Sequence, residues 1–394
     1  MRLALTLGGT DYGRSGVGVY TRAIVPRIRR ILKASGDELI LVGTPKDIDS
    51  YEDDLGDALR IVVNSVFTTP GANALFHLAA AGPLLARAGV SVVLLPAADR
   101  RVLANSPIPS VAVVHDLAQL HVARKYDSLR MAYFRHALLP AVRRASRVVA
   151  ISSSTKNDLV QAFHWPPERI TIVPNGVEAA KFTPPREDDD RVHLAREWLK
   201  TDSPYILYLS RLEHPGKNHL RLIEAFATSE MAARHSLVLA GADWGALSKI
   251  QEIAARFHVS SRVRIAGFVP NEIIPGLVAG ADSVAMVGLH EGFGLPALEA
   301  LAAGRPLFVA NTGALPEVTG DLAATCDPFD NASIRQALER TISDMDFRQR
   351  ARTEGPAWAR RYDWDTTAKS LVSICRQVVR DEPAASQRSS QSAP

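Results

Sequence analysis

Short apolar runs rich in β-branched residues recur along the first half of the chain: LALTL, ELILVG, LRIVVN, VSVVLLP, PSVAVVHD, SRVVAIS and ERITIV. Each leads into a segment of helical spacing or a loop, and runs of this length without strict polar alternation predict strands buried on both faces. The pattern pauses at KFTPPREDDDRVH, Pro-rich and then acidic, which predicts a linker. It restarts with PYILYLSR, HSLVLAGA, RVRIAGFV, ADSVAMVG and RPLFVA. Two successive runs of β-α alternation predict an α/β chain of two Rossmann-like, doubly wound, parallel-sheet domains facing across a cleft. The expected domains are 1–182 and 183–359. ARRYDWDTTAKSLVSICRQVVR has apolar residues at helical spacing and predicts a C-terminal helix over about 360–380. The small, polar DEPAASQRSSQSAP predicts a disordered tail at 381–394.

Composition narrows the class. At 394 residues, 46% hydrophobic and 22% charged, the chain reads as an ordinary soluble globular protein, and its formal net charge of +4 favours anionic ligands without naming one. Its two cysteines, Cys326 and Cys375, stand in no metal-ligand spacing, so neither a disulfide framework nor a metal is expected and a reducing compartment is the default. The opening MRLALTLGGTD suits a buried strand better than a secretory segment. The apolar stretch Ala72–Pro96 is interrupted by His77, Pro83 and Arg87, so no transmembrane segment is expected. A cytoplasmic location follows as the expectation.

LTLGGTDYGRSGVGVYTRAI sets Gly13, Gly16 and Gly18 between the first strand and a helix. The order G-x-x-G-x-G departs from the dinucleotide fingerprint G-x-G-x-x-G, and the chain has no G-x-x-x-x-G-K-[ST] phosphate loop. What remains is a glycine-rich strand-to-helix loop able to receive an anion at a helix N-terminus, or a tight turn that needs glycine for its backbone angles.

The densest chemistry lies in HEGFGLPALEALAAGRPLFV, His290 to Val309. Pro296 suits a first helical turn, ALEALA propagates the helix and Gly304 can end it, which puts Glu291 in the preceding loop and Glu299 one turn inside. Gly292 and Gly294 let the backbone approach a ligand. The helix N-terminus favours a phosphate, and flanking carboxylates suit sugar hydroxyls. Phosphate and hydroxyls together describe a sugar nucleotide.

E-G-F-G-L-P-x-L-E-A resembles the Glu-x7-Glu signature of the retaining, nucleotide-sugar-dependent glycosyltransferases of family 4, which have the two-domain GT-B fold. SGVGVYT, VVHDL, ISSSTKNDL, IVPNGVEAAKF, LSRLEHPGKNHLRLIEAF, AGFVP and YDWDTTA resemble successive motifs of that family, the last opening a helix that crosses back to the first domain. The resemblance implies that Glu291 faces the donor sugar and Glu299 the ribose hydroxyls. Phe293, Gly294 and Leu295 would offer backbone N–H groups, and Arg211 and Lys217 would neutralise the diphosphate. Phe268 and Val269 would pack near the base, Gly16 would approach the phosphates, and His115 would sit by the donor sugar. Mannose from GDP-mannose is the first expectation for the donor and UDP-glucose the alternative, with a glycan or lipid-linked acceptor of surface polysaccharide assembly. No nucleic-acid partner and no cofactor are implied. The chain departs from the family in Val287-Gly288-Leu289-His290, where a proline-serine pair is common, in Ser15 before Gly16, and in His214-Pro215 beside Lys217.

Other readings stay open at this point. Paired glutamates also serve glycosidases, whose carboxyl groups lie about 5 to 10 Å apart. A sugar-nucleotide epimerase would keep the fold and dispense with an acceptor, and a binding protein could keep the pocket without the chemistry. Arg211 and Lys217 could be solvated surface charges, His115 and Asp116 structural, and His121, His136, His164 and His219 unremarkable. Between His121 and Arg147 stand seven Arg or Lys residues and one acid, Asp127, among apolar residues. That segment suits either a solvated basic helix or peripheral contact with an anionic membrane or a lipid-diphosphate acceptor.

Overall fold

The structure is a computed structural model that describes residues 1–104, 106–122 and 128–381. It divides into two compact units, the first holding the described residues within 1–117, 128–175 and 364–381, the second those within 118–122 and 176–363.

In the first unit, β1 (Arg2–Thr6), β2 (Glu38–Gly43), β3 (Leu59–Val62), β4 (Val92–Leu95), β5 (Ser110–Val114), β6 (Arg147–Ala150) and β7 (Ile170–Ile172) form one parallel sheet in the order β3-β2-β1-β4-β5-β6-β7. In the second, β8 (Tyr205–Leu209), β9 (Ser236–Ala240), β10 (Val263–Gly267), β11 (Ser283–Met286), β12 (Leu307–Ala310) and β13 (Ala324–Cys326) form another, in the order β10-β9-β8-β11-β12-β13. Central strands are almost wholly apolar and buried, as Leu3, Leu5, Val93, Leu207 and Val284 show, because helices cover both faces of such sheets.

Each sheet starts in its middle, winds outward, then returns to the other side of its first strand. The reversal lies between β1 and β4 in one unit and between β8 and β11 in the other. Loops leaving the carboxyl ends of those neighbouring strands diverge to opposite faces and open a crevice, which is where parallel α/β sheets hold ligands.

Boundaries shift from the sequence expectation. Residues 176–182 belong with the second unit rather than the first, since the Val177 amide donates to the Tyr362 carbonyl (3.1 Å) and Phe182 is buried. The helix expected over 360–380 runs Trp364–Asp381 and completes the first unit: Trp364 meets Tyr20 edge-on, and the Thr367 hydroxyl donates to the Pro174 carbonyl at 2.8 Å. Of the expected tail, Asp381 ends this helix and 382–394 lie outside the described residues. β13 was not expected; its three residues carry too little apolar pattern to read.

Gly16 and Gly18 are inside the first turn of the helix Gly16–Ala34 rather than in the loop before it, and the Ser15 hydroxyl caps that helix by accepting from the Gly18 amide. A Cβ on Gly18 would lie 2.5 Å from the Gly13 backbone, and Gly13 has φ +77°. A Cβ on Gly16 would meet nothing within 4 Å. Packing therefore requires glycine at 13 and 18 and leaves it unexplained at 16.

The basic segment is only partly described, with 123–127 outside the described residues. From Ser128 to Arg143 it is helical; Phe134, Leu138, Leu139 and Val142 are buried in the core of the first unit, and Arg135, Arg143 and Arg144 are exposed. Its apolar side is spent on packing. No helix of the described residues is long and apolar enough to cross a membrane.

Candidate functional site

In the second unit, three loops leave the carboxyl ends of adjacent strands: Ser210–Asn218 after β8, Val287–Gly294 after β11, and Asn311–Ala314 after β12. Backbone bonds lace them together. The Leu289 amide donates to the Gly216 carbonyl (2.9 Å), and the Ala314 amide to the Glu291 carbonyl (2.9 Å). Asn218, in the left-handed region at φ +57°, sends its side-chain amide to the Val287 carbonyl (3.1 Å) and the Pro328 carbonyl (2.7 Å). The Tyr208 hydroxyl donates to the Lys217 carbonyl (2.7 Å).

This frame brings two sequence-predicted residues into direct contact. Lys217 Nζ donates to both oxygens of Glu291, at 2.7 and 3.0 Å, with the two side chains 20% and 12% exposed. The pair is largely withdrawn from water, where a charge-assisted bond is stronger and less screened. Two glycines make room for the carboxylate's residue. A Cβ on Gly288 would come 2.6 Å from Glu291 Oε1, and one on Gly313 would come 2.5 Å from the Glu291 carbonyl oxygen. Gly313 also has φ +64°.

Behind Glu291, Gly294 takes φ +92° and opens the helix Leu295–Ala302 with Pro296 in the first turn and no capping side chain. Phe293 is buried edge-on against Tyr362, so its side chain anchors the turn while its backbone stays at the helix mouth. Glu299, one turn on and partly buried, makes no side-chain hydrogen bond or ion pair among the described residues. Burial pushes its carboxyl up to about 7. Its hydrogen-bonding capacity is unspent within the described residues.

Arg211, at the end of β8, pairs with Glu213 (3.0 Å) and lies over the Trp244 ring at 4.4 Å. Val269 is buried and Phe268 is 58% exposed, both just beyond β10 at the sheet edge. The two remaining predicted residues belong to the first unit. Gly16 opens its first helix; His115, buried after β5, must carry its proton on Nε2 to donate to the Pro96 carbonyl (2.6 Å), and burial holds its pKa below the usual imidazole value.

Sequence reasoning missed several neighbours. Asn218, Gly288, Gly313 and Trp244 carry signals that make sense only once the loops adjoin. His219 was set aside, yet its buried ring meets the Ser210 hydroxyl at 3.2 Å beneath Lys217, and burial, then Lys217, pushes its pKa down to about 4, which keeps it neutral. His121 and His290, also passed over, stack in parallel at 4.0 Å.

Residues 190–358 match the family described as Glycosyl transferases group 1, and residues 14–181 match Glycosyltransferase Family 4. The chain belongs to the family 4 type of glycosyltransferases. Among relatives of this glycosyltransferase, O-antigen chain mannosyltransferase B of Escherichia coli is 26% identical over 67% of this chain and 69% of its own length. The serotype-specific mannosyltransferase WbdA of E. coli is 28% identical over 68% of this chain, which spans only 33% of that longer protein. D-inositol 3-phosphate glycosyltransferase of Xylanimonas cellulosilytica is 31% identical over 62% of this chain and 60% of its own length. Solved structures share the fold over nearly the full length. Sucrose-phosphate synthase of Thermosynechococcus elongatus has a TM-score of 0.74 at 18% identity, covering 97% of this chain and 100% of its own. The Anabaena protein HepE, in complex with UDP and glucose, has a TM-score of 0.72 at 19% identity, covering 96% and 100%. The glycosyltransferase has the GT-B fold, with two parallel Rossmann-like sheets.

Proposed function

We propose that this glycosyltransferase is a retaining enzyme that moves a hexose from a nucleoside-diphosphate sugar, mannose from GDP-mannose in the first instance, to a glycan or lipid-linked acceptor in surface polysaccharide assembly. The observation that carries the reading is the Lys217–Glu291 pair at the strand-order reversal, set beside an uncapped helix N-terminus and the unspent carboxyl of Glu299. A cation and a helix mouth suit a diphosphate, and two carboxyl groups flanking them suit the hydroxyls at its two ends. The mannosyltransferase relatives support mannose as the sugar.

Breaking the sugar–phosphate bond builds negative charge on the diphosphate and positive charge on the anomeric carbon. Lys217, Arg211 and the amides at Gly294 and Leu295 stabilise the leaving group as that charge grows, a role that preorganised donors perform without reorganising. Lys217 exchanges one partner for another, Glu291 for phosphate, and frees Glu291 to accept from the sugar hydroxyls. The acceptor hydroxyl attacks from the face the diphosphate leaves, and a phosphate oxygen takes its proton, so configuration is retained with no protein nucleophile. Contact of the exposed arginines within 128–147 with anionic lipid belongs to the same proposal; flotation with anionic vesicles at low salt should carry the protein up, and protein left in the soluble fraction would rule it out.

The test is thermal denaturation against GDP-mannose, UDP-glucose and further nucleotide sugars, followed by transfer assays that read the product anomer. A true donor at 100 times its Kd adds about 2.7 kcal/mol of stability. A panel without a shift, an inverted product, or donor consumption independent of any acceptor would each overturn the proposal.

A further inference from the structure

At the opposite end of the second unit's sheet, by the amino ends of β11 and β12, an open cavity of about 380 Å³ is lined by Pro184, Arg186, Glu187, Gly304, Arg305 and Arg352, among others. Three arginines line it against a single glutamate. Arg305 directly precedes β12 and is mostly withdrawn from solvent. Its Nη2 donates to the Ala279 carbonyl, and its Nε, buried, has no hydrogen-bond partner among the described residues. Burial lowers its pKa; Asp282 and Tyr205 oppose that, while Arg348 and Arg352 add to it. Asp282, the nearby acid, is already engaged by His235 (3.4 Å) and Arg348 (3.9 Å).

The walls are built rather than incidental. Gly304 takes φ +63°, and a Cβ there would lie 3.2 Å from Arg352 Cα and 3.3 Å from Pro184 Cγ, so the segment 184–187 and the helix Met345–Ala359 close on the turn that presents Arg305. A largely buried arginine with an unsatisfied Nε, beside two exposed arginines on the same cavity, leaves cationic charge there that one glutamate does not balance. The cavity sits at the low end of the range for small-molecule sites, too small for a nucleotide sugar and ample for a phosphate carrying a small substituent.

We propose that Arg186, Arg305 and Arg352 form a second anion site, distinct from the candidate donor site, that takes a free phosphate monoester or inorganic phosphate. Guanidinium forks match phosphate oxygens in pairs, and three of them from separate segments tie residues 184–187 to the body of the unit when the anion binds.

Titration of the full chain with inorganic phosphate at constant ionic strength tests this. Lys217→Ala should keep a saturable phosphate site, whereas Arg352→Glu and Arg186→Glu, both at exposed positions, should each weaken binding at that site by about tenfold or more. Arg305→Gln should abolish it, with circular dichroism checking the fold. A parallel arm with phosphatidic acid vesicles separates free from lipid phosphate. No saturable phosphate binding by wild type, binding lost in Lys217→Ala but kept in Arg352→Glu, or vesicle binding through Arg352 without binding of free phosphate would each overturn the proposal.

Discussion

Lys217 and Glu291 hold each other at the candidate site, so each substitution leaves the other charge partly buried and unpaired, and effects on folding and on transfer must be separated. Lys217→Ala is expected to cut transfer by about 10²-fold or more, the usual cost of removing one preorganised donor, while the chain still folds. Near-normal turnover would contradict the role. The proposed stabilisation of the leaving group by protein cations and amides predicts that chelation of divalent ions leaves the rate unchanged, and loss of activity with EDTA would show that a metal supplies part of that work. Glu299 gives a pH signature. Its folded pKa near 7 lies above the unfolded carboxyl value of 4.5, so the native state binds more protons between those values. The stability this group contributes is full below about pH 4.5 and is lost as pH rises through 7, on the order of 3 kcal/mol. Glu299→Gln should therefore flatten the melting temperature against pH over 5 to 7 in the nucleotide-free protein, and an unchanged profile would mean that the carboxyl is solvated. The pair of glutamates was legible because glycines, proline and a helix pattern stood beside them in sequence. Gly313 and Asn218 were not, since each is explained by a backbone it meets only after β8, β11 and β12 lie side by side.

Among elements, the strands were read almost completely because parallel sheets demand continuous apolar runs, whereas the order β3-β2-β1-β4 follows from how crossovers pack and leaves no mark on any single run. The first helix shows where pattern and structure part. Gly16 was grouped with its neighbours as one glycine-rich strand-to-helix loop, yet packing requires glycine at 13 and 18 and not at 16. Gly18→Ala should destabilise the first unit by more than about 1 kcal/mol, because its Cβ would enter the Gly13 backbone. Gly16→Ala meets open space at ordinary helical angles and should leave stability unchanged or raise it by about 0.5 kcal/mol. If Gly16 serves ligand approach, transfer falls in that variant while melting does not. Equal activity with equal stability would remove Gly16 from the site.

At the scale of the whole molecule, the first unit is discontinuous: its seven strands precede residues 176–363 of the second unit, and its last helix follows them. That helix buries Trp364, Leu371, Val372, Cys375 and Val378 on the first unit, and Arg376 reaches Asp37 at 2.8 Å. At about 1.5–3 kcal/mol for each large apolar side chain, the helix contributes on the order of 10 kcal/mol, comparable to the whole net stability of a domain. Ending the chain at Asp363 removes all of this and leaves β8–β13 and the bond between Tyr362 and Val177 in the chain. Hydrogen exchange on the truncated protein should show β1–β7 exchanging close to unfolded rates while β8–β13 keep their protection. Protein with native protection in β1–β7 would mean that the first unit folds without its last element, and that the helix serves some end other than completing its core.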